Sequence, residues 1–465
     1  MTTTFNPDDI QGNILRGYHF GRVRYLILEV VDRAAARSFL ATSAEGNSTE
    51  VPAITRAAKW DPKPTVCFNI GLTHDGLRAL GTPPEHLATF PTEFVEGMTK
   101  RALKLGDFGA SAPGNWPAPF DQPARINIVA TIHSDQAEHL DRVQDQVARA
   151  FNVIGTRDGR ALDEGKVFFG YKDSISQPRF KHVDDPEQAK VNEPIDPLGT
   201  VLLGHPTLFE GLRFSVPEPE ELGLNGTFNA FRILAQDASG FEDYLDVVAD
   251  ELLKDPNVDQ LLAPGNERRI GEGLDRRGAL REIVAAQMCG RWRNGVPYAS
   301  SPDAQYPESN ISRTNFDYDP ASRCPAGSHV RRVNPRGGPI VQRIANYTRR
   351  LVRRGMPYGP VFDAKNRDDR ERGLLGNFIC ASLGAQFEAV MCDWLNLGLQ
   401  DPDITGSNDP LIGANSPETS WFDLTLRNGG TIRIRGIPRF VTARGGAYLF
   451  LPSLPAIKYL SRLTS

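Results

Sequence analysis

The chain has 465 residues, 40% hydrophobic and 24% charged, which suits a soluble globular protein with a sizeable buried core. Its formal net charge of −4 gives no electrostatic footing for nucleic acid. No run approaches the roughly 18 apolar residues of a membrane span. The five cysteines, at 67, 289, 324, 380 and 392, form no CxxC pair, which argues against a disulfide framework or a zinc site.

In chain order, Met1 to Ile10 has no basic n-region, no apolar h-region and no twin arginine, so a cytoplasmic protein is expected. Val23 to Val31 reads as a strand, followed by a helix beginning near Asp32. Thr65 to Leu72 is a second strand, after which Thr73 reads as the N-cap of a short helix ending at Gly81. Ile126 to His133 alternates and is rich in β-branched residues, a third strand. Ser134 is placed to cap a helix in which Leu140, Val143, Val147 and Phe151 fall at helical spacing.

The second half repeats this grammar. Thr227 to Ala235 predicts a strand, Phe241 to Leu253 a helix, Leu374 to Ser382 a strand and Gly384 to Leu395 a helix. Phe440–Thr442 and Ala447–Leu451 predict a hairpin around Arg444-Gly445-Gly446, and Ser453 to Arg462 a last helix. Two halves that each mix strands and helices indicate an α+β protein of two similar domains. The polar, proline-rich stretches at 180–225 and 290–345 are long loops, a length that is usually functional or disordered.

Three residues stand out for chemistry. His329 lies in Cys324-Pro325-Ala326-Gly327-Ser328-His329-Val330-Arg331-Arg332-Val333-Asn334-Pro335-Arg336. Histidine is the usual proximal donor to haem iron in peroxidases. The cations around it (Arg323, Arg331, Arg332, Arg336) form a cluster that can pair the two haem propionates bidentately. A lone histidine in a basic face is equally an ordinary surface feature. Asp173, in Phe169-Gly170-Tyr171-Lys172-Asp173-Ser174-Ile175-Ser176-Gln177-Pro178, sits where a tight loop aims its carboxylate, as a proton shuttle requires. An Asx-turn accounts for an isolated Asp just as well. Arg353 supplies a fixed cation that stabilises charge on a leaving oxygen. With Arg349, Arg350 and Arg354 it also fits a plain charged stripe.

Read together, these stretches resemble the dye-decolorizing peroxidases. Phe169 to Pro178 is similar to the family's Gly-x-x-Asp-Gly loop followed by Ile-Ser-Gln-Pro. His329 to Arg336 is similar to its His-Ile-Arg-x-x-Asn-Pro-Arg proximal motif, and Arg353-Arg354-Gly355 to its distal Arg-Arg-Gly. Asp9 to Leu15, Gln386-Phe387-Glu388, Asp409 to Gly413 and Pro438 to Leu454 extend the likeness over nearly the whole chain, in the manner of the longer subfamily. The resemblance implies two ferredoxin-like α+β domains of the dimeric α+β barrel type, over 1–165 and 166–465, the second carrying long loop insertions. It implies haem b, one per chain, enclosed in the C-terminal half.

By the same resemblance Asp173 and Arg353 are catalytic, and His329 is the iron ligand. Ser174, Ile175, Ser176, Asn334, Pro335, Arg336 and Arg353 line the haem. The implied partners are hydrogen peroxide and small-molecule reductants such as phenols and bulky dyes, with a homo-oligomer open and neither membrane nor nucleic acid. A non-catalytic haem carrier or sensor, and an iron-releasing haem enzyme, are the alternatives on the same fold. Trp394, Trp421, Tyr347 and Tyr358 are candidates for carrying electrons to donors too large to enter.

Two departures matter. Ser174 stands at the loop motif's second glycine, and a serine there is strained if φ is positive. Leu374-Leu375-Gly376-Asn377 replaces the usual Leu-Leu-Phe, which predicts a smaller and more polar distal wall.

Overall fold

The computed structural model describes residues 5–209, 211–319, 321–337 and 347–463. Four strands come from the first 160 residues: β1 (Arg22–Glu29), β2 (Val66–Leu72), β3 (Ile128–Ser134) and β4 (Asn152–Arg160). Helices α1 (Arg33–Glu45) and α2 (Ala137–Ala148) connect them. The strand order is β4-β1-β3-β2, all antiparallel, which is the ferredoxin-like arrangement. Local chemistry sets the ends. Asp32 caps α1 through Ala35 N, Gly46 ends it at φ +74°, and Thr73 caps the short helix His74–Ala79 through Gly76 N.

The second half builds the same unit. Strand β5 (Thr227–Gln236) leads into helix α3 (Ala238–Leu252), capped by Asp237, and then into helix α4 (Arg276–Cys289), capped by Asp275. The short helix α5 (His329–Val333) follows, then strands β6 (Val352–Arg353), β7 (Met356–Tyr358) and β8 (Gly373–Cys380). Strand β9 (Val441–Leu451) and helix α6 (Leu454–Ser461), capped by Ser453, close the chain. β6 and β7 pair with β8 in one continuous register, so they are two pieces of one strand. The order β9-β5-β8-β6/β7 therefore repeats the order of the first half.

β2 pairs with β9 and joins the halves into one nine-stranded sheet. The sheet curls until its outer strands meet. A Cβ on Gly159 of β4 would lie 3.2 Å from Met356 Cβ and from the Pro357 carbonyl of β7, so this close approach needs glycine. Inside, Tyr25 of β1 stacks on Phe231 of β5 across the barrel at 4.8 Å. The outer face of the C-terminal half is covered by α3, α4 and irregular chain, and a second apolar core lies there.

Three expectations need correction. Ser134 does not cap α2: it ends β3, and Gln136 is the N-cap residue, although Ser134 Oγ does accept the Gln136 amide at 3.3 Å. The helix expected over Gly384 to Leu395 does form, but it is wound in π turns, as two segments, Leu383–Glu388 and Val390–Asn396. The hairpin at Arg444-Gly445-Gly446 is absent, because Val441–Leu451 is one strand with a β-bulge between Ala443 and Gly445. Glycines that look like a turn serve instead for closeness. A Cβ on Gly445 would sit 2.6 Å from the Phe120 ring, and one on Gly446 would lie 2.7 Å from the Phe231 carbonyl and press on Met98 Sδ. Gly446→Ala should therefore lower the unfolding free energy by about 1–3 kcal/mol, the usual cost of overpacking. Denaturant unfolding checks this, and an unchanged midpoint would show that the bulge has room.

Candidate active site

The buried end of α4 positions both loops that carry the candidate residues. Nine of its last eleven residues, from Ala279 onwards, are buried. Gln287 O accepts the Ser328 hydroxyl, at 2.5 Å, and so fixes the residue before His329. Two residues earlier Ala285 O accepts Tyr171 OH at 2.8 Å, fixing the loop of Asp173. That loop is a tight reversal: Gly170 N bonds Val167 O at 2.8 Å, Val167 N bonds Tyr171 O at 2.9 Å, and Asp173 N bonds Gly165 O at 2.8 Å. Ile175 packs against Gly295, where any Cβ would stand 2.5 Å from Ile175 Cδ1.

His329 opens α5. Its Nδ1 lies 3.0 Å from Asp409 Oδ2, and Asp409 is fully buried. The other carboxylate oxygen accepts the amides of Leu411 and Ile412, both at 2.9 Å. With Nδ1 donating to Asp409, Nε2 carries the lone pair, and it has no hydrogen bond among the described residues. The side chain is 27% exposed, so Nε2 is reachable. Burial pushes the Asp409 pKa up, but His329, Arg332 and the Ile412 amide outweigh it and hold the carboxyl below its ordinary value.

Arg353 lies on β6 directly across from Phe378 of β8, so both side chains point from the same face of the sheet. Its amide bonds Gln177 Oε1 at 3.0 Å, and its guanidinium donates to Ser176 O and, at 3.2 Å, to Leu351 O. The cation thus sews β6 to the Asp173 loop. Arg353 is solvent-accessible, yet desolvation by surrounding protein is the largest influence on it and lowers its pKa, while Asp173 raises it. Asp173 itself is exposed, with no side-chain hydrogen bond among the described residues.

Residues 9–160 match a family described as the DyP dimeric alpha+beta barrel domain. A dye-decolorizing peroxidase of Exidia glandulosa is 27% identical over 98% of this chain and 87% of its own length. The multifunctional dye peroxidase DyP2 of an Amycolatopsis species is 28% identical, over 97% of this chain and 95% of its own. Over nearly its whole length the chain is similar to dye-decolorizing peroxidases. A solved dye-decolorizing peroxidase in complex with 2,6-dimethoxyphenol superposes with a TM-score of 0.78 at 27% identity, covering 98% of this chain and 100% of that one. The fungal DyP-type peroxidase of Auricularia auricula-judae gives the same TM-score at 25% identity, over 99% and 100% of the two chains.

The family implies a haem cofactor, and the residues present fit one. A histidine with Nδ1 locked and Nε2 open is the donor that iron needs. Arg336 is buried and its Nε has no partner among the described residues; Asn334 Oδ1 is likewise buried without a partner. An anionic propionate suits the first. Pro335 is buried between them.

The four-arginine cluster is mostly committed elsewhere. Arg323 pairs with Asp303 at 2.8 Å. Arg331 donates to Cys324 O at 2.5 Å and lies over the Tyr318 ring. Arg332 is buried and donates to Gly327 O, Trp394 O and Ser407. Even Arg336 gives Nη1 to the carbonyls of Asn192 and Thr314. The charged-stripe reading of Arg349, Arg350 and Arg354 also separates out: they bind Asp393, Asp196 and Asn13 O. Among the described residues Arg353 makes no ion pair.

Ser174 has φ +56°, so the serine does occupy a left-handed position, at a cost of roughly 1–2 kcal/mol. The polar-wall expectation is corrected. Gly376 faces the same side as Phe378 and Arg353, and the Phe378 ring covers it, 2.5 Å from where a Cβ would be. Asn377 points the other way and bonds Asn229 in the barrel interior. Among the aromatic candidates Trp394 is buried beneath Arg349, whereas Trp421, under Arg433 at 3.7 Å, and Tyr347 and Tyr358 are half-exposed. Asp409 was not singled out for a role by its motif, and α4 was not read at all.

The depressed pKa of Asp409 carries a sign. Its ionised form stabilises the fold above the unfolded value of about 3.9, and that contribution is lost as pH falls through the lower folded value. The stability gap between wild type and Asp409→Asn should thus be widest near neutrality and close in acid. Denaturant titrations of the haem-free proteins from pH 7 to pH 3 measure it; a gap that stays constant would mean that the charge is not what matters.

Proposed function

We propose that this protein is a haem-dependent peroxidase that reduces hydrogen peroxide and oxidises one-electron donors such as phenols and bulky dyes. What supports the reading is the shared anchoring of the candidate residues: Arg353 holds Gln177 and Ser176 of the Asp173 loop, and that loop hangs on α4. His329 is held by the same α4 scaffold, with its Nε2 open. We infer haem b, one per chain, with His329 as the iron ligand and Ser174, Ile175, Ser176, Asn334, Pro335, Arg336 and Arg353 lining it. Haem, when bound, supplies a redox-active iron that takes the oxidising equivalents of peroxide and passes them on singly.

The chain's own residues do the rest. Asp409 keeps the proton on His329 Nδ1 and strengthens Nε2 as a donor. Asp173 accepts the proton from one peroxide oxygen and returns it to the other. Arg353 stabilises the negative charge that gathers on the departing oxygen. A haem carrier or sensor needs the histidine but neither of the other two, and their pairing favours the enzyme. No helix among the described residues is long and apolar enough to cross a membrane.

Two sets of variants test this. His329→Ala should lose haem or grossly shift the Soret band; full retention with an unchanged band would remove the ligand assignment. Asp173→Asn keeps the volume but cannot accept a proton. It should slow the peroxide-driven spectral change in stopped-flow by at least about tenfold, within the usual range of acid–base catalysis. Arg353→Lys, which keeps the charge but loses the planar fork, should be milder than Arg353→Leu. A wild-type rate for Asp173→Asn with a dead Arg353→Leu would assign the chemistry to the arginine alone.

A further inference from the structure

Arg293, in the turn after α4, holds the Asp173 loop with both its backbone and its side chain. Its carbonyl accepts the Lys172 amide at 2.9 Å. Its Nη1 donates to the Phe169 carbonyl at 2.5 Å. The same nitrogen stands 2.5 Å from where a Cβ of Gly170 would lie, and Gly170 has φ +81°. The loop residue under the guanidinium therefore needs to be glycine on two counts, room and backbone angle.

The direction of that guanidinium is fixed independently. Nε bonds Glu282 of α4 at 3.1 Å, and Nη2 lies 3.0 Å from Glu242 of α3, whose side chain is 4% exposed. The rings of Tyr171 and Phe241 lie beneath it at 5.5 and 5.7 Å. A purely structural purpose, tying α3 to α4, is already met by others. Arg281 binds Glu242 and Asp246, and Arg277 binds Asp246 and Asp250. What Arg293 adds to that network is the reach into the loop.

We propose that Arg293 is a positioning residue for peroxide chemistry. By clamping Phe169 to Lys172 it sets the aim of the Asp173 carboxylate, and it acts on proton transfer only through Asp173. This rests on the role given to Asp173 above. An error of about 1 Å in a reacting group costs on the order of 10²-fold in rate, so a clamp one residue away has leverage.

The experiment uses the haem-loaded protein, with Arg293→Lys and Gly170→Ala each made in wild-type and Asp173→Asn backgrounds. Gly170→Ala removes no charged group and forces the loop and the guanidinium apart, so it stands in if Arg293→Lys folds poorly. Each should slow the stopped-flow reaction with hydrogen peroxide about tenfold or more in the wild-type background, and less than about twofold beside Asp173→Asn, the non-additivity of groups that act as one. The resting Soret band should not move. Hydrogen exchange at the Lys172 and Asp173 amides should quicken at least about tenfold in Arg293→Lys. Equal slowing in both backgrounds, or no slowing in the wild-type one, overturns the proposal. Unchanged exchange overturns the clamp even if the rates fall. If Asp173→Asn alone reacts at the wild-type rate, the role of Asp173 fails, and the exchange result still decides whether the clamp exists.

Discussion

A helix leaves its last carbonyls without partners inside the helix, and in α4 those carbonyls face protein rather than water. Gln287 O is taken by Ser328, Gly290 O by Tyr298 N, and the turn beyond offers the Arg293 carbonyl to Lys172. Burial makes each bond obligatory, because an unmet carbonyl there would be costly. The result is a rigid post from which two distant stretches of chain, the Asp173 loop and the His329 turn, hang at fixed places. The Gln287 side chain, bonded to Tyr298 OH and to both backbone groups of Thr425, braces the same turn from the other side.

Around His329 the electrostatics are built from backbone as much as from charge. Arg332 is buried without an ion pair among the described residues; desolvation lowers its pKa to about 10, against the pull of Asp409 and Asp401. It is still a cation at neutral pH, and its charge is spread over three carbonyls and a hydroxyl. Asp409 is the matching anion, with its oxygens filled by His329, Leu411 and Ile412. The buried anion takes Nδ1 of the histidine and so fixes the orientation of its ring.

Much of this was readable in the sequence because local chemistry decides it. Asp32, Thr73 and Ser453 announce helix starts by their side chains, and all three cap helices. β5 and β8 read as strands since each is a short, largely apolar run, and both are mostly buried. α4 was missed because its second half is buried all round, which erases the amphipathic stripe, while Arg276, Arg277 and Arg281 make its first half look like surface. β4 was missed because Asn152 to Arg160 is a polar edge strand with two glycines. Asp173, His329 and Arg353 stood out by motif alone, for nothing in their spacing brings them together. Tertiary pairing fixes their surroundings, through groups as far apart as Gln177 and Arg353 or His329 and Asp409.

The alternation of a strand gives the Arg353-Arg354 tandem its meaning. Successive side chains leave opposite faces. Arg353 turns outward beside Phe378, and Arg354 turns inward toward Tyr18, where its Nε bonds Asn13 O at 3.0 Å. One arginine holds the Asp173 loop and the other staples Asn13 to the barrel. A shift of β6 by a single residue would swap the parity of the two, leaving a guanidinium on each face but breaking both attachments at once. The chain's beginning and its distal cation are thereby locked to a common register, and neither can be re-aimed alone.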